Sequence, residues 1–315
     1  LLARLLGPET FGLVAMATVF LAFIQVFVDQ GFSEAIIQRH ELEPEHLDTA
    51  FWTNIAIGLL ITAFCMGTSG VVAHLFKQPE LTPLIGWLSL NFPIIALGSV
   101  QDAILRRNLA FKALAIRSLV AVIIGGLVGV TMAFMGFGVW SLVGQQISNG
   151  LVQVVVLWSA SDWRPGFKVS AIHFKELFSF GLNVVGMNIL EFVNRRADDF
   201  LVGYFLGPVA LGYYSVAYRL MMIGIDLLTN VINQVAIPTF SKLQLEPERL
   251  LRAFYSVSEL TSIVSFPAFI GLAALAPELI PVLLGAKWLP SVPVIQVLAF
   301  IGVLHSVYYF IGTVI

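Results

Sequence analysis

The chain has 315 residues, of which 58% are hydrophobic and 11% charged, with a mean hydropathy of +0.90. Soluble domains run at about 45–50% apolar and about 25% charged, so a disordered chain and an ordinary soluble enzyme are excluded. A net charge of -2 supplies no basic field for nucleic acid, and the single cysteine excludes an internal disulfide framework or a cysteine-based zinc cluster.

An all-α polytopic membrane protein is the expectation, since a span needs about 20 mostly apolar residues and the long runs lack barrel alternation. Residues 1–6 read as the end of an earlier helix, and residues 11–28 form an uncharged span ending at Asp29. Uncharged spans follow at 49–73 and 81–101, the second expected to bend at Pro83 or Pro93. The uncharged run 118–161 holds two spans divided at Met135-Gly136-Phe137-Gly138. Residues 177–190 are too short to cross alone, so one helix over about 177–205 is expected, with a re-entrant segment and loop as the rival. Further spans fall near 210–236, 255–276 and 291–315, making nine spans and a stub. Both ends read as internal to a longer protein, and the N-terminus does not read as a signal peptide.

Positive charge supports this order. Arg39, Arg106, Arg107, Lys112, Arg117, Arg164, Lys168, Lys175, Lys242, Arg249 and Arg252 fall on one side, against Arg4, Lys77 and Lys287 on the other. By the positive-inside rule, the loops near 40, 110, 168 and 245 are cytoplasmic.

An internal repeat runs through the chain. Leu6-Gly7-Pro8-Glu9-Thr10-Phe11-Gly12 returns as Leu206-Gly207-Pro208-Val209-Ala210-Leu211-Gly212. Leu42-Glu43-Pro44-Glu45-His46-Leu47 returns as Leu245-Glu246-Pro247-Glu248-Arg249-Leu250, and Ala50-Phe51-Trp52 as Ala253-Phe254-Tyr255. Matches in one order at nearly one offset point to two homologous helical lobes. Six spans separate their starts, so the repeat is parallel, with a pseudo-two-fold axis along the membrane normal and a central cavity between the lobes. The lobes are read as 1–160 and a partial 177–315, joined by a cytoplasmic linker at 161–176.

A charge cluster lies at membrane depth. Glu191 and Arg195, Arg195 and Asp199, and Arg196 and Asp199 have spacings that put each pair on one helix face, while Asp198 sits beside them. Arg219 and Asp226 are seven apart on the next span, and Arg4 and Asp29 are the nearest counterparts in the first lobe. A charge in hydrocarbon costs about 2.5–3.5 kcal/mol on insertion scales, so these groups should face protein or water. Two roles stand open: a structural salt-bridge network, or a headgroup site. Arg4, Arg195, Arg196 and Arg219 are the candidates for an anionic headgroup, because guanidinium binds phosphate bidentately. Asp29, Glu191, Asp198, Asp199 and Asp226 are candidates for ion coupling or counter-charge. Other features carry no chemistry. Cys65 reads as packing or lipid-facing, Gly125, Gly126 and Gly129 as close helix contact, and Trp140 and Trp158 as interfacial anchors. Pro247 is expected at a helix start. His40, His46, His74, His173 and His305 lack metal-ligand spacing and are expected at surfaces or interfaces. No phosphate loop, dinucleotide fingerprint or nucleophile elbow is present, so no enzyme activity, cofactor or metal is expected.

The run Arg4-Leu5-Leu6-Gly7-Pro8-Glu9-Thr10-Phe11-Gly12, with Phe27-Val28-Asp29-Gln30-Gly31-Phe32-Ser33, resembles the bacterial polysaccharide transporter family. Phe137-Gly138-Val139-Trp140-Ser141-Leu142-Val143, Trp163-Arg164-Pro165, Glu176-Leu177-Phe178-Ser179-Phe180-Gly181, Leu211-Gly212-Tyr213-Tyr214 and Gly285-Ala286-Lys287-Trp288-Leu289-Pro290 extend the resemblance over essentially the whole chain. It is closest to the lipopolysaccharide, colanic-acid and O-antigen exporters of the multidrug/oligosaccharidyl-lipid/polysaccharide flippase superfamily. The resemblance implies an inner-membrane flippase with two six-helix lobes, so the second lobe here would lack at least two helices. It would move undecaprenyl-pyrophosphate-linked oligosaccharide repeat units to the periplasmic leaflet, where polymerase and ligase machinery assembles them. It further implies that the first two helices of each lobe line the cavity, which places Arg4, Asp29, Arg195, Arg196 and Arg219 there, with proton or sodium coupling as an option. The alternatives are a lipid-linked peptidoglycan precursor flippase, a multidrug or cation antiporter, and a non-transport scaffold.

Overall fold

A computed structural model describes residues 1–28, 32–38, 43–167, 171–244 and 246–308. The side chains of 26–28, 32, 34, 38, 171–189, 191, 228–235, 237, 238 and 306–308 are outside that description. Asp29, Arg39, His40, Lys168 and Leu245, and the side chains of Glu191, His173 and Lys175, therefore lie outside the described residues.

Among the described residues the chain is helical, without strands. The helices are α1 (Leu2–Leu5), α2 (Pro8–Val28), α3 (Phe32–Gln38), α4 (Pro44–Leu75), α5 (Leu81–Ser89), α6 (Asn91–Arg107), α7 (Phe111–Phe134), α8 (Trp140–Ala160), α9 (Ala171–Leu243), α10 (Pro247–Leu283) and α11 (Val292–Tyr308). A 3₁₀ turn, Ala286–Ser291, precedes α11. Seven helical stretches among the described residues are long and apolar enough to cross a membrane, which makes this a multi-pass membrane protein. Two features separate that figure from the nine spans expected. The amides of Gln145, Gln146, Asn149 and Gln153 make α8 less apolar than its lack of charge suggests, and Phe192–Leu227 runs across two spans as one stretch.

The chain forms two compact units, Leu1–Pro208 and Val209–Ile315. In the first, α5 and α6 are one span interrupted at Leu90. Pro93 has no N–H to give, and the carbonyl of Ser89 is instead taken by Thr62 Oγ1 of α4, at 2.9 Å. Gly58, one turn before Thr62, lets the Phe92–Pro93 backbone approach α4 closely. The interruption at Leu90 lies three residues before Pro93, the nearer of the two prolines. The turn between α7 and α8 contains Gly136 and Gly138, with φ of 84° and 54°, as their sequence position predicts. Gly125 and Gly129 face the α8 backbone at Asn149, Gln145 and Ser141, the close helix contact expected of them. Cys65 is buried and packs.

α9 runs unbroken from Ala171 to Gly207, which overturns the re-entrant alternative. Gly207, at φ 83° and ψ -178°, breaks it into two helical segments. The earlier Leu-Gly-Pro motif breaks the helix too: Leu6 is extended, at φ -93° and ψ 152°, and α2 starts at Pro8. Pro44 and Pro247 both stand in the first turn of a helix, where a missing N–H is harmless. His46 is a correction: rather than lying at a surface, it is buried at the start of α4. Its Nδ1 accepts the Glu43 N–H at 3.3 Å, within a reciprocal cap in which the Glu43 carboxylate accepts the His46 N–H.

In the second unit, the segment of α9 after the unit boundary is followed by α10 and α11. Phe269 of α10 fills space beside Gly224 and Gly302. Trp288 of the 3₁₀ turn is fully buried, edge-on to Tyr213 with ring centroids 6.1 Å apart. Gly285, at φ 100°, makes the entry to that turn possible.

Candidate substrate site

Four of the charged candidates stand together on α9. Arg196 Nη1 donates to Asp199 Oδ2 at 2.9 Å, one helical turn on, with Asp199 buried and Arg196 half-exposed. Arg195 is exposed and Asp198 half-buried on the adjoining faces. The pair leaves much of the guanidinium open to a further acceptor, since Arg196 retains 42% of its side-chain exposure. Below it on the same helix, Phe192 packs on Phe23 of α2, centroids 5.3 Å apart. Above it, the parallel rings of Phe200 and Tyr204 meet Phe76.

The other candidates are placed separately. Arg4 is exposed in the last turn of α1, in the first unit. Arg219 and Asp226 are exposed in the second unit, and neither forms a side-chain hydrogen bond or ion pair with a described residue. Their spacing of seven puts them on one face without bringing them into contact. No cluster of metal-binding side chains occurs among the described residues.

Sequence reasoning misses two charges in the first unit, one half-buried and one buried. Arg117 reads as a loop cation, but it sits inside α7 and pairs with Asp102 of α6. Asp102 also accepts from Arg106 Nε at 2.6 Å. The signal is available: Asp102 and Arg117 are nearly equidistant from the turn at 108–110, so a helical hairpin must bring them level. Arg107 Nη1 in turn donates to the Ile36 carbonyl, 2.7 Å, at the end of α3.

The second missed charge is Asp48, which is 5% exposed. Its Oδ1 accepts the Gly166 N–H at 2.9 Å, and Trp52, one turn along α4, donates Nε1–H to the Gly166 carbonyl at 2.7 Å. Both backbone groups of Gly166 are thus held from one face of α4, and a Cβ at Gly166 would fall on the Asp48 carboxylate. Trp163 and Trp158 pack edge-on against Phe51, Phe167 stacks on Trp52, and Arg164 caps α8 through the carbonyls of Ser161 and Trp158. Residues 161–167 are therefore strapped to α4. Trp158 Nε1 donates to the Leu97 carbonyl at 2.7 Å, so this tryptophan also binds helix to helix.

Comparison with known proteins places these features in a family. The chain is 31% identical over 300 residues to the succinoglycan biosynthesis transport protein ExoT of Rhizobium meliloti (strain 1021), covering 95% of this chain and 60% of that protein. It is 28% identical over 320 residues to the lipopolysaccharide biosynthesis protein WzxC of Escherichia coli (strain K12), covering 100% of this chain and 64% of that one. The teichuronic acid biosynthesis protein TuaB of Bacillus subtilis (strain 168) is 30% identical, with 90% and 59% covered. The chain spans about three fifths of the length of these relatives. Among solved structures, the lipid II flippase MurJ in an inward closed conformation superposes with a TM-score of 0.77 at 16% identity, covering 99% of this chain and 72% of that one. An inward-facing multidrug resistance MATE family transporter of the MOP superfamily gives 0.68 at 16% identity, covering 99% and 79%. The fold is thus that of MurJ and the MATE transporters. Residues 1–293 match the Polysaccharide biosynthesis protein family, and the chain belongs to it.

Proposed function

We propose that the protein is a flippase of the bacterial inner membrane that moves undecaprenyl-pyrophosphate-linked oligosaccharide units from the cytoplasmic to the periplasmic leaflet during surface polysaccharide synthesis. The observation that carries this reading is membership of a family whose relatives, matched along nearly the whole chain, are named for succinoglycan transport and lipopolysaccharide biosynthesis. The loops near 40, 110, 168 and 245 are then cytoplasmic, and the protein performs no covalent chemistry. The lobes are 1–160 and 177–315 about the linker 161–176, and the repeat is supported by the two Leu-Gly-Pro breaks and the two Pro-led helix starts.

Transport proceeds by alternating access of a wet cavity to the two leaflets. The pyrophosphate pairs with arginine, for which Arg4, Arg195, Arg196 and Arg219 remain the candidates, and the polyprenyl chain stays in lipid because water would expose its apolar surface. Asp29, Glu191, Asp198, Asp199 and Asp226 supply counter-charge or couple transport to protons or sodium. Polymerase or ligase machinery would act on the delivered unit. The similarity to MurJ favours a second reading, a lipid-linked peptidoglycan precursor as cargo. The test is leaflet translocation of radiolabelled undecaprenyl-pyrophosphate oligosaccharide by the full-length protein in proteoliposomes. Translocation of this lipid, and loss of it in an arginine variant that remains folded, is expected. Movement of the peptidoglycan precursor alone would select the second reading, and movement of neither would overturn both.

A further inference from the structure

The two Leu-Gly-Pro motifs mark the repeat, yet headgroup binding gives them no task. Gly12, in the first motif, lies directly against the backbone of Pro208, in the second. A Cβ on Gly12 would coincide with the Pro208 carbonyl, so the two main chains touch with no side chain between them. Gly207 is what turns the chain there, through its φ of 83°. Further along α2, Phe23 packs on Phe192 of α9. Gly12, Val19 and Phe23 are spaced seven and four apart, which places them on one face of α2, and Val19 is buried. That face meets α9 at both ends over about 16 Å of helix.

We infer that this stripe is a latch: α2 closes against α9 at Phe192 before the Gly207 break and at the Pro208 backbone just after it, a contact only glycine permits, and the latch parts when the protein changes access. Interiors repack between discrete arrangements rather than deforming, so a contact this close is either made or broken. Gly7 serves as the internal control, because a Cβ there meets nothing within 4 Å and its backbone is not left-handed. The latch rests on the alternating-access reading, and its first readout, labelling, needs no transport substrate.

The experiment uses the full-length protein, made otherwise cysteine-free, with Val19→Cys as a reporter for a water-soluble maleimide. Gly12→Ala is expected to speed labelling at least tenfold, and Gly7→Ala to leave it within twofold. Equal labelling in both would overturn the latch. Should Gly12→Ala fail to fold, a Phe23→Cys/Phe192→Cys pair joined by a short thiol cross-linker tests the same point. The joined protein should lose export and regain it when the link is cleaved by a reductant, whereas full export with the link in place would overturn the latch. If the lipid-linked oligosaccharide is not moved while Gly12→Ala still speeds labelling, the cargo assignment fails and the latch stands.

Discussion

Gly166→Ala should release the strap over residues 161–167 from α4. The added methyl falls on the Asp48 carboxylate, so the Gly166 N–H bond at 2.9 Å is lost along with the Trp52 bond to the same residue's carbonyl at 2.7 Å. A hydrogen bond to a charged acceptor contributes about 2 kcal/mol and a neutral one about 1 kcal/mol. Local opening therefore becomes easier by about 3 kcal/mol, or on the order of 100-fold. Phe167, which is 86% exposed, is the chymotrypsin site that reports it in purified full-length protein under conditions where cleavage follows the open population. Trp52→Phe keeps an aromatic ring but loses its donor, so it should raise cleavage about fivefold. Asp48→Asn keeps an acceptor but turns a charged bond into a neutral one, a loss of about 1 kcal/mol, so it too should raise cleavage about fivefold. A Gly166→Ala rate within twofold of wild type would refute the claim that these two bonds hold the strap.

Other perturbations separate the structural charges from the candidate site. Arg117→Ala leaves Asp102 with the exposed Arg106 as its partner, so thermal denaturation in detergent should show a loss of about 1–3 kcal/mol, and Asp102→Ala/Arg117→Ala together should cost less than the two single losses summed. Leu109 is exposed at φ 53° in the α6–α7 turn, so Leu109→Gly should raise stability by up to about 1 kcal/mol, against the usual sign for a new glycine. Phe269→Ala empties the space beside Gly224 and Gly302 and should destabilise the second unit by about 3–5 kcal/mol, visible as a lower unfolding temperature. Arg196→Lys keeps the charge but loses the planar fork, so translocation should fall about tenfold or more with folding unchanged; unaltered translocation would count against a bidentate role.

The helices and most of their ends are legible because each is written locally: long apolar runs, Pro44 and Pro247 at starts, and Gly136 and Gly138 in a turn. The Arg196–Asp199 pair is also legible, being a spacing of three on one helix. Asp48 is not, because its partner is the backbone of a residue 118 positions away and its own sequence context is that of a helix start. Arg117 misleads because charge ordinarily marks a loop, whereas an opposite charge on the neighbouring helix lets it enter. The polar face of α8 is hidden since amides carry no formal charge, although they lower hydropathy as surely.

The Asp102–Arg117 pair also bears on how the chain enters the membrane. α7 arriving alone would carry Arg117 without its counter-charge, whereas Asp102 on α6 already has Arg106 as a partner. A turn of only three residues keeps α6 beside α7 as it arrives, so that Asp102 can take Arg117 as well as Arg106. Insertion of α7 is then favoured when α6 is beside it to supply Asp102.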